Sequence, residues 1–227
     1  MIQLILASLF FVGIHIVVSG TRLRALLVAR MGERPYMGLF SLLSLAGIAW
    51  QIWAYRRSPY VELWGQVYTA RWIALVLMLF AFLLVVVGIA SPNPTSIGGE
   101  QLISRGEAAR GIFRITRHPF LMGVALWALV HLSYNGDLAS LIFFGSFLVL
   151  AVLGPLYIDR KLRNALGESW RSFAAQTSII PFAAILTGRS RLALGEIGWW
   201  RPAIAVLAYA AVLHLHRWLF GVSPLPM

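Results

Sequence analysis

Six apolar runs, each close to the length needed to cross about 30 Å of hydrocarbon, punctuate this chain of 227 residues. They are Ile2–Ser19, Met37–Tyr55, Trp72–Ala90, Pro119–Tyr134, Leu138–Tyr157 and Pro202–Phe220. Backbone in lipid must satisfy its own N–H and C=O groups, so such runs fold as helices. The pattern predicts an all-α polytopic integral membrane bundle of about six transmembrane helices, one membrane domain over residues 1–227. The fourth run is short, and a tilt or a thinned bilayer would accommodate it. The composition agrees: 59% of residues are hydrophobic and only 12% charged, where soluble domains carry about 25% charge. The first run has no basic residues ahead of it and a basic flank behind it, the reverse of a signal peptide.

The net charge of +11 is concentrated in alternate loops. Arg22, Arg24, Arg30 and Arg34 follow the first run, and Arg105, Arg110, Arg114 and Arg117 follow the third. Arg160, Lys161, Arg163, Arg171, Arg189 and Arg191 follow the fifth. The other side holds Arg56, Arg57, Arg71 and Arg217. By the positive-inside rule the odd loops face the cytoplasm and both termini face outward, as in a multi-pass protein of a bacterial inner membrane. Arginines placed between apolar runs read as partners of anionic lipid headgroups, not of nucleic acid. Two loops exceed a turn. Ser91–Arg117 opens on Pro92 and Pro94, and residues 158–196 hold an amphipathic cytoplasmic helix, roughly Asp159–Gln176, with Trp170 and Phe173 at interfacial spacing. Phe182–Leu186 is apolar but too short to span. Asn135-Gly136-Asp137 reads as a tight outward turn, with Asp137 capping the fifth run.

The chemistry available at membrane depth is narrow. None of the eight acidic residues falls inside a run as drawn, and cysteine is absent. This argues against a proton-coupled transporter, a paired-carboxylate hydrolase and any thiolate chemistry. Histidine remains: His15 in the first run, His131 in the fourth, His214 and His216 in the sixth, with His118 opening the fourth. Neutral imidazole in apolar surroundings is the ligand haem iron accepts most readily, and it serves equally as an interhelical hydrogen-bonding group. On one straight helix His118 and His131 lie about 20 Å apart and cannot share an iron. Trp127 and Ala128 precede His131 by one turn, where an indole and a small residue suit either a flat macrocycle or plain helix packing. Arg117-His118-Pro119 reads as a helix start, and its cation and imidazole make an anion or cofactor site an alternative. By depth, His15 lies toward the cytoplasmic half and His131 toward the outer half, about 14 Å apart along the normal. Depth alone favours His131 with His214 or His216.

Four segments are similar to the NnrU family, in matching order along nearly the whole chain. They are GIHIVVSGTRLRALLVARMGERPYMGLFSLLSLAG, GIFRITRHPFLMGVALWALVHLSYNGDLAS, IDRKLRNALGESWRSFAAQTSIIPFAAILTGR and the closing LHRWLFGVSPLP. That family includes relatives of plant 15-cis-zeta-carotene isomerase. The resemblance implies a haem b whose ferrous form isomerises a cis double bond of a lipophilic polyene. By motif, the metal-ligating and catalytic histidines fall on His15 and on His131 of the Trp127-Ala-Leu-Val-His131 segment. His118 and Arg117 match the family's RHP segment, Trp127 would lie on the cofactor, and His216 is the rival ligand. The isomerase branch carries a cysteine, implicated in redox-dependent ligand exchange, where this chain has Ala128. The bacterial branch is named for nitric oxide-related gene neighbourhoods, so a haem protein without turnover is a further reading. The RHP segment and GESWRSFAAQTSIIP also resemble isoprenylcysteine-type membrane methyltransferases. That likeness implies an S-adenosylmethionine site on Arg117, His118, Asp159, Arg160, Glu168 and Trp170.

Overall fold

The structure is a computed structural model, and it describes residues 1–19, 21–67, 71–96 and 98–225. Eleven α-helices account for most of the described residues. In chain order they are α1 (Ile2–Gly13), α2 (Arg22–Met31), α3 (Glu33–Arg57), α4 (Arg71–Ala90), α5 (Glu100–Ser104), α6 (Ile112–Ile115), α7 (Pro119–Asn135), α8 (Leu138–Leu166), α9 (Glu168–Gln176), α10 (Ala183–Leu186) and α11 (Trp200–Phe220). A π-helical turn, Ile14–Ser19, joins α1 to α2, and a 3₁₀ turn, Leu194–Glu196, precedes α11.

Among the described residues, four helices are long and apolar enough to cross a membrane: α3, α4, α8 and α11. The count is five if the first run and α2, bent by 81° at their junction, form one broken span. The shortest expected run, α7, is a helix of 17 residues. The membrane reading explains why large apolar side chains point outward, among them Val76, Leu207 and Trp218.

The helices group into two compact units. The first unit comprises Met1–Val67 and His131–Gly154. There α1 lies against α3, and Leu4, Ala7 and Phe11 form its buried stripe. Asp137 accepts the Ser140 amide at 2.9 Å, capping α8 as its sequence position predicts. Gly136, at φ +64°, offers its carbonyl to the amides of Leu63, Trp64 and Gly65.

The second unit comprises Tyr68–Val130 and Pro155–Met227. Its core joins Leu84 and Val87 of α4 to Ile112, Phe113 and Ile115 around α6 and to Ala205 of α11. Small residues let α4 and the start of α7 touch: a Cβ on Gly123 would lie 2.8 Å from the Ala81 carbonyl oxygen. The helix expected over Asp159–Gln176 is two pieces. α8 runs on to Leu166, Gly167 turns at φ +53°, and α9 follows. Trp170 and Phe173 are not spread on a membrane surface. They are buried against Ile103, Ala108 and Leu162. Phe182–Leu186 forms the short α10, entered through Phe182 at φ +65°.

Candidate functional site

Both histidines of the sequence-derived ligand pair belong to the first unit. His15 is the second residue of the π turn, a geometry that is rare and concentrated at functional positions. Its Nδ1 lies 2.7 Å from the Phe11 carbonyl oxygen, one turn back. A carbonyl only accepts, so Nδ1 carries the proton and Nε2 keeps its lone pair. Phe11 and Phe40 enclose the ring, with centroids at 4.6 and 5.2 Å. An imidazole anchored in this way has Nε2 as its acceptor nitrogen.

His131, half-buried on α7, stacks on Phe144 at 4.7 Å and 24°. Phe144 touches Phe143, Phe143 touches Phe147, and Phe147 touches Phe11. The two imidazoles therefore close the ends of one run of aromatic rings. They sit at different levels of α3. Phe40 packs on His15, whereas Tyr55 packs on Phe144. Those α3 positions are separated by about 22 Å of helix. Each imidazole suits a haem iron by itself, and the described contacts do not bring the pair together. Among the described residues no cluster of three or more His, Asp or Glu forms a metal cage.

The remaining candidates lie in the second unit. Arg117 donates through Nε and Nη2 to Asp159 Oδ2, at 2.9 and 2.6 Å. His118 Nε2 lies 2.7 Å from Asp159 Oδ1. His118 and Asp159 are buried, and the Arg117 guanidinium lies 5.8 Å from the centre of the buried Trp170 ring. The surrounding backbone fixes the group: Thr116 Oγ1 donates to the Ile179 carbonyl at 2.6 Å, and the Arg117 amide donates to the Ser178 carbonyl at 2.9 Å. The helix reading set Asp159 on a surface helix, whereas the methyltransferase likeness grouped it with Arg117 and His118. The signal for its burial was an RHP segment holding a cation and an imidazole that both need one acid. Arg160 and Glu168 are exposed, and Glu168 pairs with Arg171 at 3.0 Å. Trp127 is half-buried on α7. His216 gives its Nδ1 proton to the Val222 carbonyl at 2.9 Å, and His214 is exposed.

A third polar centre, outside the spans, joins Arg114 to Glu196 by two hydrogen bonds of 2.8 and 3.0 Å. The Gly111 amide adds a third at 2.8 Å. These donors hold the Glu196 carboxyl at about 2, and the Glu196 carboxylate in turn raises the Arg114 guanidinium above its ordinary value.

The family model for the NnrU protein matches residues 3–224. The chain belongs to the NnrU family. Two chloroplastic 15-cis-zeta-carotene isomerases are similar to this NnrU-family chain over 82 residues, at 35% identity for the Zea mays protein and 38% for that of Arabidopsis thaliana. The shared stretch is 36% of this chain and 22% of either relative, so the chain aligns with about a fifth of their length. No solved structure matches it.

Proposed function

We propose that this NnrU-family protein is a membrane-embedded, haem b-dependent cis–trans isomerase of a lipophilic polyene, of the zeta-carotene kind. The observation that carries the reading is His15: an imidazole in an apolar helical run with its Nδ1 proton committed to the Phe11 carbonyl and its ring packed between aromatic rings. His15 is the residue that would hold the haem iron, and His131, at a different level of α3, would hold an iron only by itself. When bound, ferrous haem would supply electron density to a conjugated double bond and lower its barrier to rotation.

The chain's own contribution is anchoring, packing and exclusion of water. The Phe11 carbonyl fixes the His15 tautomer, and phenylalanine rings pack on both imidazoles. A polyene has no polar group to desolvate and reaches such a site laterally through the bilayer. The protein so read crosses a bacterial inner membrane about six times, with α7 as the short span and both termini outward.

Detergent-purified protein from haem-replete cells tests this. Expected are a Soret band and conversion of a cis-polyene only in the reduced state. A Soret band without conversion would instead support a haem or nitric oxide-related protein without turnover. Methyl transfer is not favoured. The Arg117 and His118 donors that an S-adenosylmethionine site would use are spent on Asp159.

A further inference from the structure

One polar side chain in the first unit is buried where lipid-depth packing offers it almost nothing. Gln51, in the C-terminal third of α3, is fully buried. Its amide lies 2.9 Å from Ser146 Oγ on α8 and 3.3 Å from Ser8 Oγ on α1. With Oε1 toward the serines, Nε2 has no hydrogen-bond partner. The serine chemistry points to the opposite orientation. Ser146 Oγ also lies 2.7 Å from the Phe143 carbonyl, and its single hydrogen goes there because that carbonyl cannot donate. The Gln51 contact then needs a donor, so the amide turns its NH₂ toward the two serine oxygens, two hydrogens for two acceptors. One side chain thus ties three helices together.

The tie sets a register. Ser8 on α1 and His15 in the π turn that follows it are seven residues apart, and Gln51 and Phe40 are three turns apart on one face of α3. α1 and α3 run antiparallel, with Ser8 on Gln51 at one end and His15 on Phe40 at the other. Between them Gly47 leaves room for Phe10 and Phe11, whose ring carbons would lie 3.3 and 3.4 Å from an added Cβ. Apolar helix faces in lipid gain little from one register over the next, because the tails are as apolar as the helices. A buried polar contact is the device that singles one out. A further polar contact between these two helices, Trp50 Nε1 to Gln3 at 3.3 Å, is exposed.

We infer that Gln51 is a positioning residue for His15: it pins α1 against α3 and α8 in the one register that seats the imidazole between Phe11 and Phe40. The role given to His15 rests on the haem reading, whereas the register does not. The absence of native cysteine allows nitroxide labels at Leu9→Cys and Leu45→Cys, both exposed positions on α1 and α3. Electron–electron distances and absorbance are then measured on full-length protein in lipid nanodiscs. The labelled parent is expected to give one narrow distance. Gln51→Met, which keeps the volume, is expected to broaden it or displace it by about one helical turn, roughly 5 Å, with the thermal midpoint held or raised. A merely stabilising Gln51 would lower the midpoint and leave the distance alone. If Gln51→Met does not fold, Ser8→Ala combined with Ser146→Ala removes the partners and is expected to broaden the distance likewise. A narrow, unchanged distance in the variant that folds overturns the inference. A parent protein without a Soret band overturns the haem reading, and the distances still decide the register.

Discussion

Asp159 shows how much can depend on one side chain. It accepts two hydrogen bonds from Arg117 and engages His118, all within a region shielded from water. Removing it strands a buried guanidinium, which typically costs about 3–5 kcal/mol. Asp159→Ala is therefore expected to lose a similar amount in detergent-unfolding measurements, whereas exposed Arg160→Ala should change little. His15 makes a different kind of prediction. With its Nδ1 proton on the Phe11 carbonyl, His15→Ala should abolish or shift the Soret band while leaving helix content intact by circular dichroism. An unchanged spectrum in both His15→Ala and His131→Ala would remove both as ligands. Residue types at membrane depth were readable from sequence, since only histidine among the strong ligands is available there. The partnerships were not. Gln51 was visible only as an uncharged polar residue amid Ala49-Trp50-Gln51-Ile52-Trp53, and nothing local in the sequence names Ser8 and Ser146 as its partners.

At the scale of elements, close approach between α4 and α7 depends on missing side chains. A methyl on Gly123 would meet Val85 Cγ2 at 2.6 Å, and one on Gly88 would meet Pro119 Cγ at 2.9 Å. Gly123→Ala is expected to cost about 1–3 kcal/mol as overpacking, read as a lower thermal midpoint. The Arg114–Glu196 pair predicts a pH dependence. Glu196 titrates at about 2 in the fold, below its ordinary 4.5. Its contribution is thus complete above 4.5 and is lost as pH falls toward 2. Thermal midpoints between pH 6 and pH 3 should fall, and Glu196→Gln should flatten the part of that slope due to this pair. Apolar periodicity located the long helices within a few residues, because lipid enforces both their length and their hydrogen bonding. It ended the fifth run at Tyr157 and gave the last turns of α8 to the helix expected over Asp159–Gln176, because Asp159 and Arg160 close the apolar run before the helix itself ends. The break is a backbone event at Gly167, and the burial of Trp170 and Phe173 depends on the distant Ile103, Ala108 and Leu162. The π turn at His15 leaves no periodic signature, since a single widened turn does not alter the apolar run.

For the whole molecule, the arginine distribution predicts which loops face which compartment. With no native thiol to interfere, Glu62→Cys should react with an impermeant maleimide added outside intact cells, and Arg105→Cys only after lysis. The reverse pattern would invert the topology. The two helical units divide the candidate chemistry: the imidazoles at the ends of the phenylalanine run lie in one, the Arg117–His118–Asp159 cluster in the other. The central claim is that imidazoles held in apolar packing by this NnrU-family chain grip haem. The most direct measurement is the absorbance spectrum of detergent-purified protein from haem-replete cells, oxidised and then dithionite-reduced. The account predicts a Soret band that shifts on reduction, and protein that emerges colourless in both states would contradict it.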